Sequence, residues 1–227
     1  MRPATPHTAA RDDRTAQPDR ERLGPPLSVI SAIAAFLALF VALAALISSR
    51  DPGDSSAEAG FARDMSVHHA QAVEMAEIVR DKTESEEIRT MAADIALTQQ
   101  AQIGQMQGWL DAWGLPPTGT EPPMSWMGHP TEGRMPGMAS PEEINRLREA
   151  PPEEADKMFL RLMIPHHKAA LPMARAVLER TDRPEVKRLA TAIIASQKGE
   201  IKIMQEMLKS RGEKPEQGSP SHTPEHH

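Results

Sequence analysis

The stretch MSVHHAQAVEMA, residues 65–76, recurs as MIPHHKAALPMA, residues 163–174, at an offset of 98 positions. Working outward from these two stretches, residues 61–114 align with 159–212 without a gap, and 19 of those 54 positions are identical. Self-similarity of this kind marks an internal repeat. In each copy the apolar residues recur at spacings of three and four, the period of a helix. Met65, His68, His69, Ala72, Met75, Ala76 and Val79 share one face, as do Met163, His166, His167, Ala170, Met173, Ala174 and Val177. A second helical pattern follows through Ile88, Met91, Ile95, Gln99, Gln102, Met106 and Leu110, matched by Val186, Leu189, Ile193, Gln197, Glu200, Met204 and Leu208. Thr83 with Glu86 and Asp182 with Glu185 fit capping boxes, while Gly114 and Gly212 suit helix stops. Each copy therefore predicts a helical hairpin. One hairpin leaves its apolar stripe uncovered, so the pair predicts an all-α four-helix bundle over residues 57–212.

The connection 115–140 is rich in Pro, Gly and Met and predicts irregular structure. Ser140-Pro141-Glu142-Glu143 then starts a short helix, which Pro151-Pro152 ends. Ahead of the bundle, residues 27–47 carry no charge and are long enough for one transmembrane helix. Arg2, Arg11, Arg14, Arg20 and Arg22 precede that segment, whereas Arg50 alone stands with several acids just after it. The asymmetry predicts a single-pass protein of the cell membrane, with residues 1–26 as a disordered cytoplasmic tail and the bundle outside the cytoplasm. Cleavage of the same segment as a signal, giving a secreted bundle, is the alternative. Residues 48–56 read as a linker and 213–227 as a disordered tail, whose His222, His226 and His227 would recruit ions only weakly.

Composition narrows the function. There is no cysteine, so disulfides and thiolate ligands are excluded. The net charge is -6 and no basic block accompanies aromatic residues, which argues against nucleic-acid binding. No Gly-rich phosphate loop, dinucleotide fingerprint or nucleophile arrangement occurs, and the reading is of a protein that is not an enzyme. Oxygen-activating di-iron chemistry would need a Glu from each of two helices and Glu-x-x-His on the others. Only Glu200 is acidic on the inward seams.

Two adjacent residues on a helix straddle a seam, each about 50° from its centre, so both histidine pairs face the bundle interior. Met65 and Met75 lie one to two turns from the first pair, and Met163 and Met173 from the second. Imidazole with thioether suits copper. His68, His69, His166, His167, Met65, Met75, Met163, Met173 and Glu200 are thus the candidate metal residues, with a copper ion as ligand that folding does not require. The competing reading is a buried hydrogen-bond network with Gln99, Gln102, Gln197 and Glu200 that fixes helix register in a non-metal assembly module. Fourteen methionines, against four Phe and no Tyr, include a loop group. Met124, Met127, His129, Met135 and Met138 form a secondary candidate site for a soft metal, against docking over the bundle end. Imidazole coordinates only when neutral, so histidine-held metal is expected to weaken as pH falls through about 6.5. A second copy of the chain or another protein is left open as a partner.

On MSVHHAQAVEMA, MIPHHKAALPMA and MPGMASPEE, residues 135–143, the chain resembles the domain-of-unknown-function 305 family over about residues 58–212. The resemblance implies extracytoplasmic proteins of ferritin-like four-helix architecture with a duplicated His-His hairpin, some of which bind copper. It implies the same four histidines, with Met65, Met75, Met163 and Met173 as soft ligands. Pro172 stands where the first copy has Glu74 and many relatives carry an acid. With Pro165 it predicts a kink in the third main helix.

Overall fold

The computed structural model describes residues 27–48 and 51–212, and every regular element among them is helical. They form α1 (Leu27–Ser48), α2 (Ala57–Lys82), α3 (Glu86–Ala112), a 3-10 turn at Ser125–Met127, α4 (Pro141–Glu149), α5 (Pro152–Leu178) and α6 (Pro184–Ser210). The chain divides into two compact units, one up to Arg50 and one from Asp51 onward. The tails expected at 1–26 and 213–227, with His222, His226 and His227, lie outside the described residues.

In the first unit, α1 has the expected position. Among the described residues, however, no helix is long and apolar enough to cross a membrane. The transmembrane anchor expected at 27–47 is therefore not supported.

In the second unit, α2–α3 and α5–α6 are the two hairpins. The helices pack because repeat-equivalent apolar positions are buried in both copies: Phe61 and Phe159, Met65 and Met163, Met75 and Met173, Met106 and Met204, Leu110 and Leu208. The interior forms two clusters. One joins Ala72–Val79 of α2, Ile88–Ala96 of α3, Ala155–Ile164 of α5 and Met204 and Leu208 of α6. The other joins Ala59–Met65, Met106 and Leu110 to Ala170–Val177 and Val186–Ile193. The late half of α2 thus meets the early half of α5, and the early half of α2 meets the late half of α5. The two helices run antiparallel, and both histidine pairs fall between the clusters. Burying one such Phe, Met or Leu contributes about 1.5–3 kcal/mol.

Helix ends follow local chemistry, with two corrections. α3 is capped by Ser85, whose hydroxyl accepts from the Ile88 amide, rather than by Thr83. Thr83 is the C-cap of α2, and its Oγ1 accepts from the Ser85 amide at 3.1 Å, satisfying the turn between the helices. Thr181 repeats this on the Arg183 amide, and α6 begins at Pro184 with no side-chain cap. Asp182, expected to cap, pairs with Lys187 instead. At α4 the expected start holds: Ser140 and Glu143 form a complete capping box. Gly114 and Gly212 have the positive φ of helix stops, 67° and 80°. The helical assignment of α5 continues through both Pro165 and Pro172.

The 115–140 segment docks on the bundle rather than standing in solvent. Asp64 accepts from the Met124 amide and from Trp126 Nε1, both at 2.8 Å. Trp126 meets Phe61 edge-on and lies over Gly60, where a Cβ would come within 2.3 Å of its indole. Farther along, Gln71 accepts from the Ala139 amide and donates to the Ala139 carbonyl.

Candidate metal centre

His68 and His69 come from the middle of α2, and His166 and His167 from the middle of α5. All four are fully buried. The rings of His68 and His166 lie 3.8 Å apart between centroids and 36° from parallel, so the antiparallel crossing brings one histidine of each pair into contact. His166 and His167 ring centroids are 6.3 Å apart.

Each pair has an outward anchor. His69 Nε2 donates to Gln102 Oε1 on α3 at 2.7 Å, and His167 Nε2 donates to Glu200 Oε2 on α6 at 2.6 Å. Gln102 and Glu200 are repeat equivalents, so the duplication has built the same contact twice. His68 Nε2 donates to the Pro136 carbonyl at 3.2 Å. An imidazole that donates from Nε2 while neutral leaves a lone pair on Nδ1. The Nδ1 atoms of all four histidines are buried without a hydrogen-bond partner, as is Nε2 of His166. Both polar atoms of the Gln99 amide and Oε1 of Gln197 are also buried and unpartnered. Eight of the nine such atoms among the described residues belong to this layer, the ninth being Asp156 Oδ1. A buried acceptor without a partner costs on the order of 1–3 kcal/mol. Their concentration in one layer is therefore a property of the centre rather than scattered imperfection.

Burial also sets the protonation state. Loss of water around the ring pushes His68 down to about 4 and His69 to about 3, with neighbouring imidazoles adding repulsion. The Pro136 carbonyl and the Gln102 amide pull the other way more weakly. His166 is held well below its ordinary value, again first by burial and then by repulsion from the other rings, against a weaker pull from the His68 backbone. These three rings are neutral at physiological pH. Proton uptake by His68 and His69 in the folded, metal-free chain is thereby moved from the ordinary 6.5 to about 4 and about 3.

The thioethers flank this layer. Met75 and Met163 lie in one apolar cluster, Met65 and Met173 in the other, and all four are buried. Glu200 touches the centre through His167 and keeps a fifth of its side chain exposed. In the loop group, Met124 and Met135 are buried in the second cluster, Met127 and Met138 pack partly buried against it, and His129 is exposed. Among the described residues no group of three or more His, Asp or Glu side chains is arranged to hold a metal ion. The donor chemistry nonetheless fits a soft or borderline ion, because buried neutral imidazoles present Nδ1 lone pairs with no other acceptor role.

Sequence reasoning missed the loop's part in the centre. Pro136 orients His68, and Gly137 lets the loop approach α5, since a Cβ there would lie 2.5 Å from Ala169 Cβ and 2.7 Å from the Pro165 carbonyl. The signal was the MPGMA stretch, read as a source of sulfur rather than of a carbonyl. A separate cleft of about 410 Å³, lined by Arg63, Asp64, Thr120 and Trp126, lies away from the histidines. Within it Arg63 pairs with Asp54, and Asp64 accepts from the loop.

Residues 58–208 match the family model described as Domain of unknown function (DUF305). Among solved structures, a presumed secreted DUF305 protein from Streptomyces coelicolor is 47% identical, with a TM-score of 0.70, covering 73% of this chain and 100% of that one. CopM in its Cu(II)-bound form is 31% identical with a TM-score of 0.54, covering 68% of this chain and 97% of that one, and CopM has also been crystallised in Cu(I)-bound and silver-bound forms. Over 56 residues the chain is 46% identical to the uncharacterized protein L153 of Acanthamoeba polyphaga mimivirus, a match spanning 25% of this chain and 37% of that relative.

Proposed function

The chain belongs to the DUF305 family, and we propose that it is an extracytoplasmic metal-binding protein whose histidine layer holds copper for sequestration, handover or resistance. One observation carries the reading. Three imidazoles donate Nε2 to an oxygen acceptor while the Nδ1 of each is buried without a partner. Metal-binding histidines are oriented in this way, because the outer hydrogen bond fixes the tautomer and strengthens the inner nitrogen as a donor. His68, His69, His166 and His167 are the ligands in this proposal, with Met65, Met75, Met163 and Met173 as soft donors on either side and Glu200 acting through His167. Support comes from the copper-bound and silver-bound forms of CopM, about 30% identical to this chain. An extracytoplasmic setting is supported by the Streptomyces neighbour described above. Copper there would be bound as cargo, and the protein's task is to keep its donors neutral, oriented and shielded from water.

A second reading rests on a specific observation. The lack, among the described residues, of any group of three or more His, Asp or Glu side chains arranged for a metal suits a structural module, in which the histidines only fix helix register. Equilibrium dialysis of the full chain against Cu(II) and Cu(I), followed by metal analysis, separates the two. The metal reading predicts bound copper that is lost when all four histidines become alanine and the variant stays helical. Unchanged binding by that folded variant refutes it.

A further inference from the structure

The outer anchors of His69 and His167 share one plan and differ in one atom group. His69 donates to Gln102 and His167 to Glu200, at 2.7 and 2.6 Å, and each acceptor lies 33 residues beyond its histidine. Both acceptors hold the ring in the Nε2–H tautomer, so orientation does not distinguish these two rings. Charge does. Gln102 offers a neutral dipole, whereas Glu200 offers a carboxylate. Among the residues of the layer, the four histidines with Gln99, Gln102, Gln197 and Glu200, it is the one acid.

When Nδ1 gives its lone pair to a cation, the ring acquires positive character, and a carboxylate at Nε2 stabilises that character while a carboxamide does so only weakly. The stabilisation grows with the cation's charge, since Coulomb energy scales with the product of charges. Solvent screens little of it here, because His167 is fully buried and Glu200 is only a fifth exposed. We propose that Glu200 is a positioning residue that sets the ion-charge preference of the centre. Acting through His167, it makes the α5–α6 half the tighter seat for a divalent ion. The α2–α3 half, backed by Gln102, is a neutral seat that favours divalent over monovalent ions less. This rests on the metal reading above.

The test uses the full chain, titrated separately with Cu(II) and Ag(I) against competing chelators. Glu200→Gln keeps the side chain's shape and an oxygen acceptor while removing the charge. Cu(II) affinity should fall about 10–100-fold, the range for losing an oriented partner of a metal-bound histidine, and Ag(I) affinity should fall several-fold less. In the metal-free variant, a long-range proton–nitrogen spectrum should still show His167 protonated at Nε2, which separates loss of charge from loss of orientation. The double exchange Gln102→Glu with Glu200→Gln moves the carboxylate to the equivalent half and should restore the Cu(II)-over-Ag(I) preference. Should Glu200→Gln fail to fold, Gln102→Glu alone should raise that preference above wild type. Equal losses for both ions, or an unchanged preference across the folded variants, overturns this inference and leaves the metal reading standing. A wild-type chain that binds neither ion overturns both.

Discussion

Acid should destabilise the metal-free protein far above the pH at which its carboxylates titrate. In the unfolded chain each histidine takes up a proton near pH 6.5. In the folded chain burial holds His68 at about 4 and His69 at about 3. Below pH 6.5 the unfolded state therefore binds more protons than the folded one, and stability falls with falling pH. The contribution is complete above 6.5 and is lost progressively as pH drops towards about 4 for His68 and about 3 for His69. At about 1.36 kcal/mol per pH unit and proton, the two histidines together lose about 4 kcal/mol between pH 7.5 and pH 5. His166, also held low, adds to the loss. Asp64, whose carboxyl is raised by burial, works with the opposite sign and reduces the net slope. A domain at the low end of the usual range, with about 5 kcal/mol in total, would be close to unfolding at pH 5. Urea unfolding in the presence of a chelator, followed by helical circular dichroism at pH 7.5 and 5, reads the change directly. A His68→Gln/His69→Gln variant, less stable throughout, should show a much flatter dependence. Wild-type stability equal within about 1 kcal/mol at the two pH values, where two histidines alone predict about four, would refute the assignment of neutral, desolvated rings.

Gly137→Ala places a side chain at φ +77° and against Ala169 and the Pro165 carbonyl, so it should cost at least about 1–3 kcal/mol. It should also release His68 from Pro136, visible as a changed His68 ring signal. Phe159→Ala removes a fully buried ring and should cost about 3–5 kcal/mol in a thermal or urea melt. Met124→Leu with Met135→Leu conserves packing in the second apolar cluster and should change stability by less than about 1.5 kcal/mol. If those sulfurs only pack, the Cu(I) stoichiometry stays the same, and a drop by one ion would assign them a binding role. A bound ion at a hundred times its dissociation constant should stabilise the chain by about 2.7 kcal/mol, raising the melting temperature only while the four histidines are present.

The repeat was legible because duplication wrote the same burial pattern twice. Met65 and Met163, Met75 and Met173, and the histidine pairs are all buried as their spacing predicts. The pairing of His69 with Gln102 and His167 with Glu200 follows from the same seams, since both acceptors are repeat equivalents. The start of α3 was read two residues early, because a threonine that closes one helix and a serine that opens the next carry the same kind of hydroxyl. The loop was harder, because its part in the centre runs through a backbone carbonyl at Pro136 and a close approach at Gly137, neither of which has a side-chain signature. Its methionines were explicable either as ligands or as packing, and the burial of Met124 and Met135 emerges only once the loop is seen fastened by Asp64 and Gln71. Nor does sequence disclose how far burial moves a histidine's protonation, which depends on the water excluded when four helices close around it.

The central claim is that Nδ1 of these histidines is the metal-facing atom. A long-range proton–nitrogen correlation spectrum of the selectively labelled full chain, recorded before and after addition of Ag(I), tests it most directly. The account predicts that His68, His69 and His167 are protonated at Nε2 in the metal-free protein. On adding Ag(I), the Nδ1 resonances should shift while the Nε2–H signals stay in place. Nδ1 resonances that do not move when silver is added, or histidines protonated at Nδ1 from the outset, would contradict it.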